Sequence, residues 1–456
     1  MRWRMCVTGA SAVIFLTSGT PEAYAGSVVD DHLRGASALS ALDAATVPSP
    51  GIAIGITSYD SQHNSAQGHQ VASNPGSETV HFAWTMWDVI PTPYDETNRF
   101  VNYSSWDKPT GTTNQGFNGN SITVGKHGRG GFVRIDVDSD NLCHVTLHQR
   151  LEEDYPYSAW HLLFPIEGSA LHLDEELAHS EEMPDEVEFL WPDFAVSQNH
   201  GAKNAGMDIL HVTSTGAVDM GGGYPVWSRR LWYWRYDRGA ITPIWEGPVL
   251  IDSASALSHT IDACDDSGKV AVAFTSDYAT DSLNRMNNVA YRESRTAGDG
   301  WLYGYELGES YKNIITAYDD TLGGPEAGEE TSVAYDHRGV LHIIFTEQRA
   351  PGSEETALKH WSNERGTVCT ITEAHYPNPA TWGRLDNLGQ ISLGIGDGAT
   401  LCRGGVTDNR DYLYVLYTQL GGITPEEEAD VSARGYANGE LYLTVSPNGG
   451  IDWSPP

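Results

Sequence analysis

Six times along this chain a turn rich in Gly, Asp or Asn runs into a short apolar strand, and in five of the six copies that strand closes on Thr. The clearest copies are Asp336-His-Arg-Gly-Val-Leu-His342-Ile-Ile-Phe-Thr346 and Asp266-Ser-Gly-Lys-Val-Ala271-Val-Ala-Phe-Thr275. Others set His81 before Thr85, His211 before Thr215 and Tyr414 before Thr418, and the sixth sets His144 before His148. The second residue always lies four after the first. A repeat of this kind turns the question of fold into how many units there are and how they close.

The anchors at 81, 144, 211, 271, 342 and 414 stand 63, 67, 60, 71 and 72 residues apart. These intervals exceed the roughly 40–50 residues of WD40 and kelch repeats, and they fit a four-stranded blade with long loops. An aromatic-rich strand follows most copies, as in residues 100–106, 231–236, 289–294, 358–362 and 440–446. Each unit therefore reads as an inner strand, a tight turn, a second strand, a loop, a third strand and a further hairpin. The sequence predicts an all-β fold: a six-bladed β-propeller of four-stranded blades. Residues 52–59 alternate apolar and polar, and the last unit stops after its third strand, so the N-terminal strand is expected to close the last blade. That pairing would cover an edge prone to aggregation.

Arg2 and Arg4, the apolar stretch around 13–17 and Ala23-Tyr-Ala25 have the pattern of a signal peptide over residues 1–25. A leader or linker is expected at 26–50 and the propeller at 51–456. The location expected is secreted, extracellular or periplasmic, with no membrane span. The full chain carries a formal charge of −34; losing Arg2, Arg4 and Glu22 makes it −35. A field of that sign repels nucleic acid and anionic membranes. Cys143, Cys264, Cys369 and Cys402 follow the expected cleavage site without the close pairs of a zinc site. Structural or free thiols are expected, and Cys369 with Cys402, in one unit, is the pairing to test first. A monomer is expected.

The C-terminal hairpin Ser446-Pro-Asn448-Gly-Gly450-Ile-Asp-Trp453 resembles the Asp box, S-x-D-x-G-x-x-W, of sialidases and related secreted propellers (BNR repeats). Ser294-Arg-Thr-Ala-Gly298-Asp-Gly-Trp301, Ser362-Asn-Glu364-Arg-Gly366 and Arg235-Tyr-Asp237-Arg-Gly239 are fainter copies in the same register. The resemblance implies a propeller and a folding device on the face away from any active site. The F/Y-R-I-P motif of sialidases is absent, so none of their active-site residues is carried over.

A site is expected on the face bearing the second–third loops and the starts of the inner strands. Candidate ligand contacts there are His69, Trp87, Arg99, Arg150, Tyr157, Trp227 and Arg349, because aromatic rings beside cations suit sugar recognition. Candidate catalytic groups at the inner strands are Asp193, His259, Glu330 and Arg403, a mixture able to supply an acid, a base and an anion contact. No cofactor is expected. Calcium is the one metal left open by Asp136, Asp138 and Asp140, residues that also suit a turn. The acidic run from Asp174 to Glu188 reads as an exposed insertion. The leading function is recognition of an extracellular carbohydrate or surface polymer. A glycoside hydrolase or lyase, and an adhesion module of an exported assembly, are the alternatives.

Overall fold

The structure is a computed structural model. It describes residues 54, 69–74, 77–87, 99–114, 130–150, 157–166, 171–178, 186, 188–198, 208–219, 225–253, 255–265, 267–277, 287–318, 324–349, 355–375, 388–396, 399–402, 405–420 and 439–455. The signal, the leader and nearly all of the expected closing strand lie outside them. Ile54 is described and packs half-buried against Val80, Phe82 and Trp84.

The fold is that of a six-bladed β-propeller, read as six successive antiparallel sheets. Sheet 1 holds β1 (Val71–Ala72), β2 (Thr79–Trp87), β3 (Arg99–Asp107) and β4 (Thr112–Asn114). Sheet 2 holds β5 (Gly130–Val137), β6 (Cys143–Gln149), β7 (Ser158–Phe164) and β8 (Leu173–Ala178). Sheet 3 holds β9 (Glu188–Ser197), β10 (Ile209–Asp219), β11 (Pro225–Asp237) and β12 (Trp245–Asp252). Sheet 4 holds β13 (Ser255–Cys264), β14 (Lys269–Asp277), β15 (Asn287–Ser294) and β16 (Asn313–Ile314). Sheet 5 holds β17 (Glu326–Tyr335), β18 (Leu341–Gln348), β19 (Glu355–Ser362) and β20 (Val368–His375). Sheet 6 shows three strands among the described residues, β21 (Leu388–Ile395), β24 (Leu413–Leu420) and β25 (Gly439–Ser446), with the hairpin β22 (Ala399–Cys402) and β23 (Gly405–Asp408) inserted between β21 and β24. Two compact units divide the chain: 1–62 with 70–176, and 63–69 with 177–456. No helix among the described residues is long and apolar enough to cross a membrane.

The repeated phrase is the second strand of each sheet. Its continuous apolar run follows from burial on both faces, as in sheets covered on either side. On β14, Val270, Val272 and Phe274 pack with Ala195, Leu231 and Tyr233 of sheet 3, while Ala271 and Ala273 pack with Ile343 and Phe345 of sheet 5. On β18, the intervening Ile344 faces Leu393 and Val415 of sheet 6. Each side chain of this size stabilises by about 1.5–3 kcal/mol on full burial.

The anchoring histidines have a structural use. Asp336 Oδ1 accepts the backbone N–H of Arg338 (2.9 Å) and Val340 (2.9 Å), which closes the turn, and its Oδ2 lies 3.5 Å from His342 Nε2. His342 Nδ1 then meets His360 Nε2 on the third strand at 3.0 Å. Sheet 2 repeats the chain through Asp138, His144 and His161. Asp138 also accepts the N–H groups of Asp140 and Leu142, so it is committed to the turn.

Two of the hairpins resembling Asp boxes, those at Ser294 and Ser446, share one geometry. Ser446 Oγ accepts Gly450 N–H (2.8 Å) and Asn448 Oδ1 accepts Asp452 N–H (2.9 Å). In the other copy Ser294 Oγ accepts Gly298 N–H (3.1 Å) and Thr296 Oγ1 accepts Gly300 N–H (2.9 Å). Gly298 and Gly450 both adopt φ of 85°, a conformation glycine takes without strain. Cys143, Cys264 and Cys369 are free thiols, in keeping with the expectation of structural or free thiols. One expectation is corrected. Glu186, within the acidic run read as exposed, is buried because Arg230 and Trp232 Nε1 both donate to its Oε1.

Candidate functional site

Five inner strands carry a β-bulge at a common place. The register shifts at Gly131–Arg134 in β5, Leu190–Asp193 in β9, Ser255–His259 in β13, Ala327–Thr331 in β17 and Gly389–Ser392 in β21. Each shift lies beside the last residues of the repeated phrase, at the end of the sheet where the second–third loop leaves. A bulge bends its strand and re-aims side chains. The closing Thr of the phrase reaches the bulge of the following sheet: Thr85 Oγ1 accepts Phe132 N–H (2.9 Å), and Thr215 Oγ1 sits 3.3 Å from His259 Nδ1.

In sheets 1 and 2 this arrangement gathers polar and aromatic groups. Arg99, at the start of β3, is buried; its Nε donates to the Gly130 carbonyl (2.7 Å) and its Nη2 lies 3.1 Å from His148 Nε2. A guanidinium can only donate, so His148 Nε2 is the acceptor and the ring is neutral, with its proton on Nδ1. The Arg99 guanidinium lies over the Phe132 ring at 4.9 Å, and that of Arg150 over the Tyr157 ring at 5.5 Å. His148 packs between the two rings, 5.1 Å from Phe132 and 4.9 Å from Tyr157. Arg150 and Tyr157 are half-buried and reach solvent. Phe132 holds φ of 53°, a left-handed conformation that costs of order 1–3 kcal/mol for such a residue. Gly131 before it has φ of 153°, and a Cβ there would stand 2.9 Å from Thr85 Cγ2. Strain of this kind concentrates where a site needs a side chain aimed.

Of the ligand contacts expected from sequence, the structure brings Arg99, Arg150 and Tyr157 together around His148. Trp87 pairs in register with Arg99, and Trp227 with Ala217; only the backbone of these two is described. His69 is exposed, and Arg349 is exposed and paired with Glu373 at 3.5 Å. Among the acid–base candidates, Asp193 is buried, accepting Phe194 N–H through Oδ1 and, from the next sheet, Ile261 N–H through Oδ2, each at 2.9 Å. Glu330 Oε2 likewise accepts Ile391 N–H (3.1 Å), and His259 is buried. Arg403 lies outside the described residues.

His148, Phe132 and Gln149 are not among the site residues expected from sequence. The signal for His148 was present, since it alone breaks the Thr pattern of the phrase. Burial lifts the carboxyl of Glu186 above the usual range against the pull of Ser228, Arg230 and Trp232. No group of three or more His, Cys, Asp or Glu side chains able to hold a metal occurs among the described residues.

No protein-family model matches the chain, and no curated protein matches its sequence. Among solved structures the chain is similar in fold to a polysaccharide lyase, at 12% identity over 88% of this chain and 93% of that one, with a TM-score of 0.40. It is similar to an ulvan lyase bound to -[GlcA(1-4)Rha3S]-, at 10% identity over 86% and 83%, with a TM-score of 0.44. A third likeness is to the sialidase of Trypanosoma rangeli in complex with sialic acid, at 11% identity over 84% of this chain and 54% of that one, with a TM-score of 0.41. At such identities the likeness is one of fold.

Proposed function

We propose that this chain is an exported propeller that recognises a carbohydrate polymer at the loop-bearing ends of sheets 1 and 2. The observation that carries the reading is the stack of Arg99, Phe132, His148, Tyr157 and Arg150, in which Arg99 is buried and the Tyr157–Arg150 end is half-buried. An aromatic face offers the apolar C–H side of a sugar ring a surface, and an adjacent guanidinium offers paired donors to a carboxylate, sulfate or hydroxyl. An acidic group on the polymer would be met locally by the Arg150 guanidinium, working against the repulsion of the chain's net negative charge.

Affinity electrophoresis of residues 26–456 through gels containing polygalacturonate, or neutral dextran, tests this. The wild type should be retarded by polygalacturonate. Tyr157→Ala and Arg150→Ala should each weaken retention about tenfold, the loss of roughly 1.4 kcal/mol of contact. Unretarded wild type on every polymer tried, or full retention in both variants, would overturn the reading.

A catalytic reading, hydrolase or lyase, has one observation in its favour: a neutral imidazole beside a phenol and two guanidinium groups, the types that exchange protons and steady an anion. Products released by the wild type but not by His148→Ala, with retention preserved, would make the chain an enzyme.

A further inference from the structure

We infer that Gln149 is a ligand-reading residue of the site proposed above, held without a partner until the sugar arrives; the inference rests on that reading. Gln149 ends β6 and is 1% exposed, yet neither its Oε1 nor its Nε2 has a hydrogen-bond partner. A buried carboxamide with both ends unmade is costly and calls for a reason.

Its surroundings supply one. Gln149 pairs across the ladder with Gly130, which lies directly against its side chain: a Cβ on Gly130 would meet Gln149 Cβ at 3.4 Å and Oε1 at 3.6 Å, ordinary contact distances. The same Gly130 carbonyl holds Arg99, and Gly131 and Phe132, in their unusual conformations, follow directly. The segment beside the amide is thus the strained start of β5, which Arg99 and Thr85 hold through Gly130 and Phe132. His148 and Arg150 flank Gln149 in sequence and belong to the stack. A carboxamide offers one acceptor and a pair of donors side by side, which matches neighbouring hydroxyls on a sugar ring. Displacing the start of β5 would expose the amide to such a ring. An unmet hydrogen bond kept in the free protein raises discrimination, because a ligand lacking the matching hydroxyls leaves it unmet.

The test is Gln149→Met, which keeps the volume and removes both polar ends, with Gln149→Leu as a second variant. Two readouts should move in opposite directions. The melting temperature should rise by about 2 °C, since an unpaired group has been removed. Retention by polygalacturonate should fall about tenfold. A melting temperature that stays level or drops in both variants means the amide is structural and overturns the inference. Unchanged retention overturns it too: if Tyr157→Ala and Arg150→Ala lose retention while Gln149→Met keeps it, only this inference fails. If the wild type is retained by no polymer, the proposed function fails and takes this inference with it.

Discussion

Arg99 makes the site what it is. Its bonds to the Gly130 carbonyl and to His148 Nε2 fix the start of β5 and the tautomer of the imidazole together. Lysine could not replace it, because a single ammonium lacks the planar fork that serves both partners. Buried imidazoles elsewhere have a different consequence. Burial holds His161 and His211 well below the usual histidine range, and burial with His342 and Arg365 nearby pushes His360 down to about 3. The unfolded chain protonates such rings near pH 6.5, whereas the folded chain leaves them neutral. Their contribution is therefore complete above about pH 6.5 and is lost as the pH falls toward about 3, at up to roughly 1.4 kcal/mol per pH unit for each ring. The urea midpoint should fall steadily between about pH 6.5 and 4.5, and His360→Gln should make that fall shallower. A midpoint level across the window would contradict the assignment.

At the scale of the strand, the sequence carried the pattern and withheld the reason. The phrase from Asp336 to Thr346 showed a turn, an apolar run and a closing Thr, all readable from local chemistry. That the Thr at 85 meets a bulge in the neighbouring sheet was not readable, since a bulge depends on the register of two strands at once. The same limit explains Asp193 and Glu330. Acids at the inner strands suggested proton transfer, but both accept an amide of the following sheet's inner strand. Asp262 Oδ2 does the same for Tyr335 N–H at 2.7 Å. Asp193→Ala should therefore destabilise the fold by about 1–3 kcal/mol, because it strands the Ile261 N–H in a buried place. Chemical denaturation should show a lower midpoint at an unchanged slope. A midpoint equal to wild type would mean that the tie carries no stability.

Across the molecule, six copies of the phrase and the aromatic third strands were enough to give the number and order of the sheets, because a repeat fixes each unit against its neighbours. The site was partly legible. Arg99, Arg150 and Tyr157 could be picked as loop residues of the right chemistry, and His148 as the break in the Thr pattern. Their meeting around one imidazole depends on how sheet 1 packs on sheet 2 through Val101, Tyr103, Val133 and Leu147, which no local signal encodes. Gln149 was invisible, since only the fold shows that an amide is buried and unpaired.

Everything proposed for the site depends on where the polymer binds. Hydrogen–deuterium exchange of residues 26–456, with and without polygalacturonate oligosaccharides, reads that place directly. Binding at the proposed place should slow exchange in peptides covering 99–103, 130–134 and 146–160, with little change at the turns around 138–142, 336–340 and 446–453. Protection confined to those turns, or to regions distant from Arg99 and Tyr157, would contradict it.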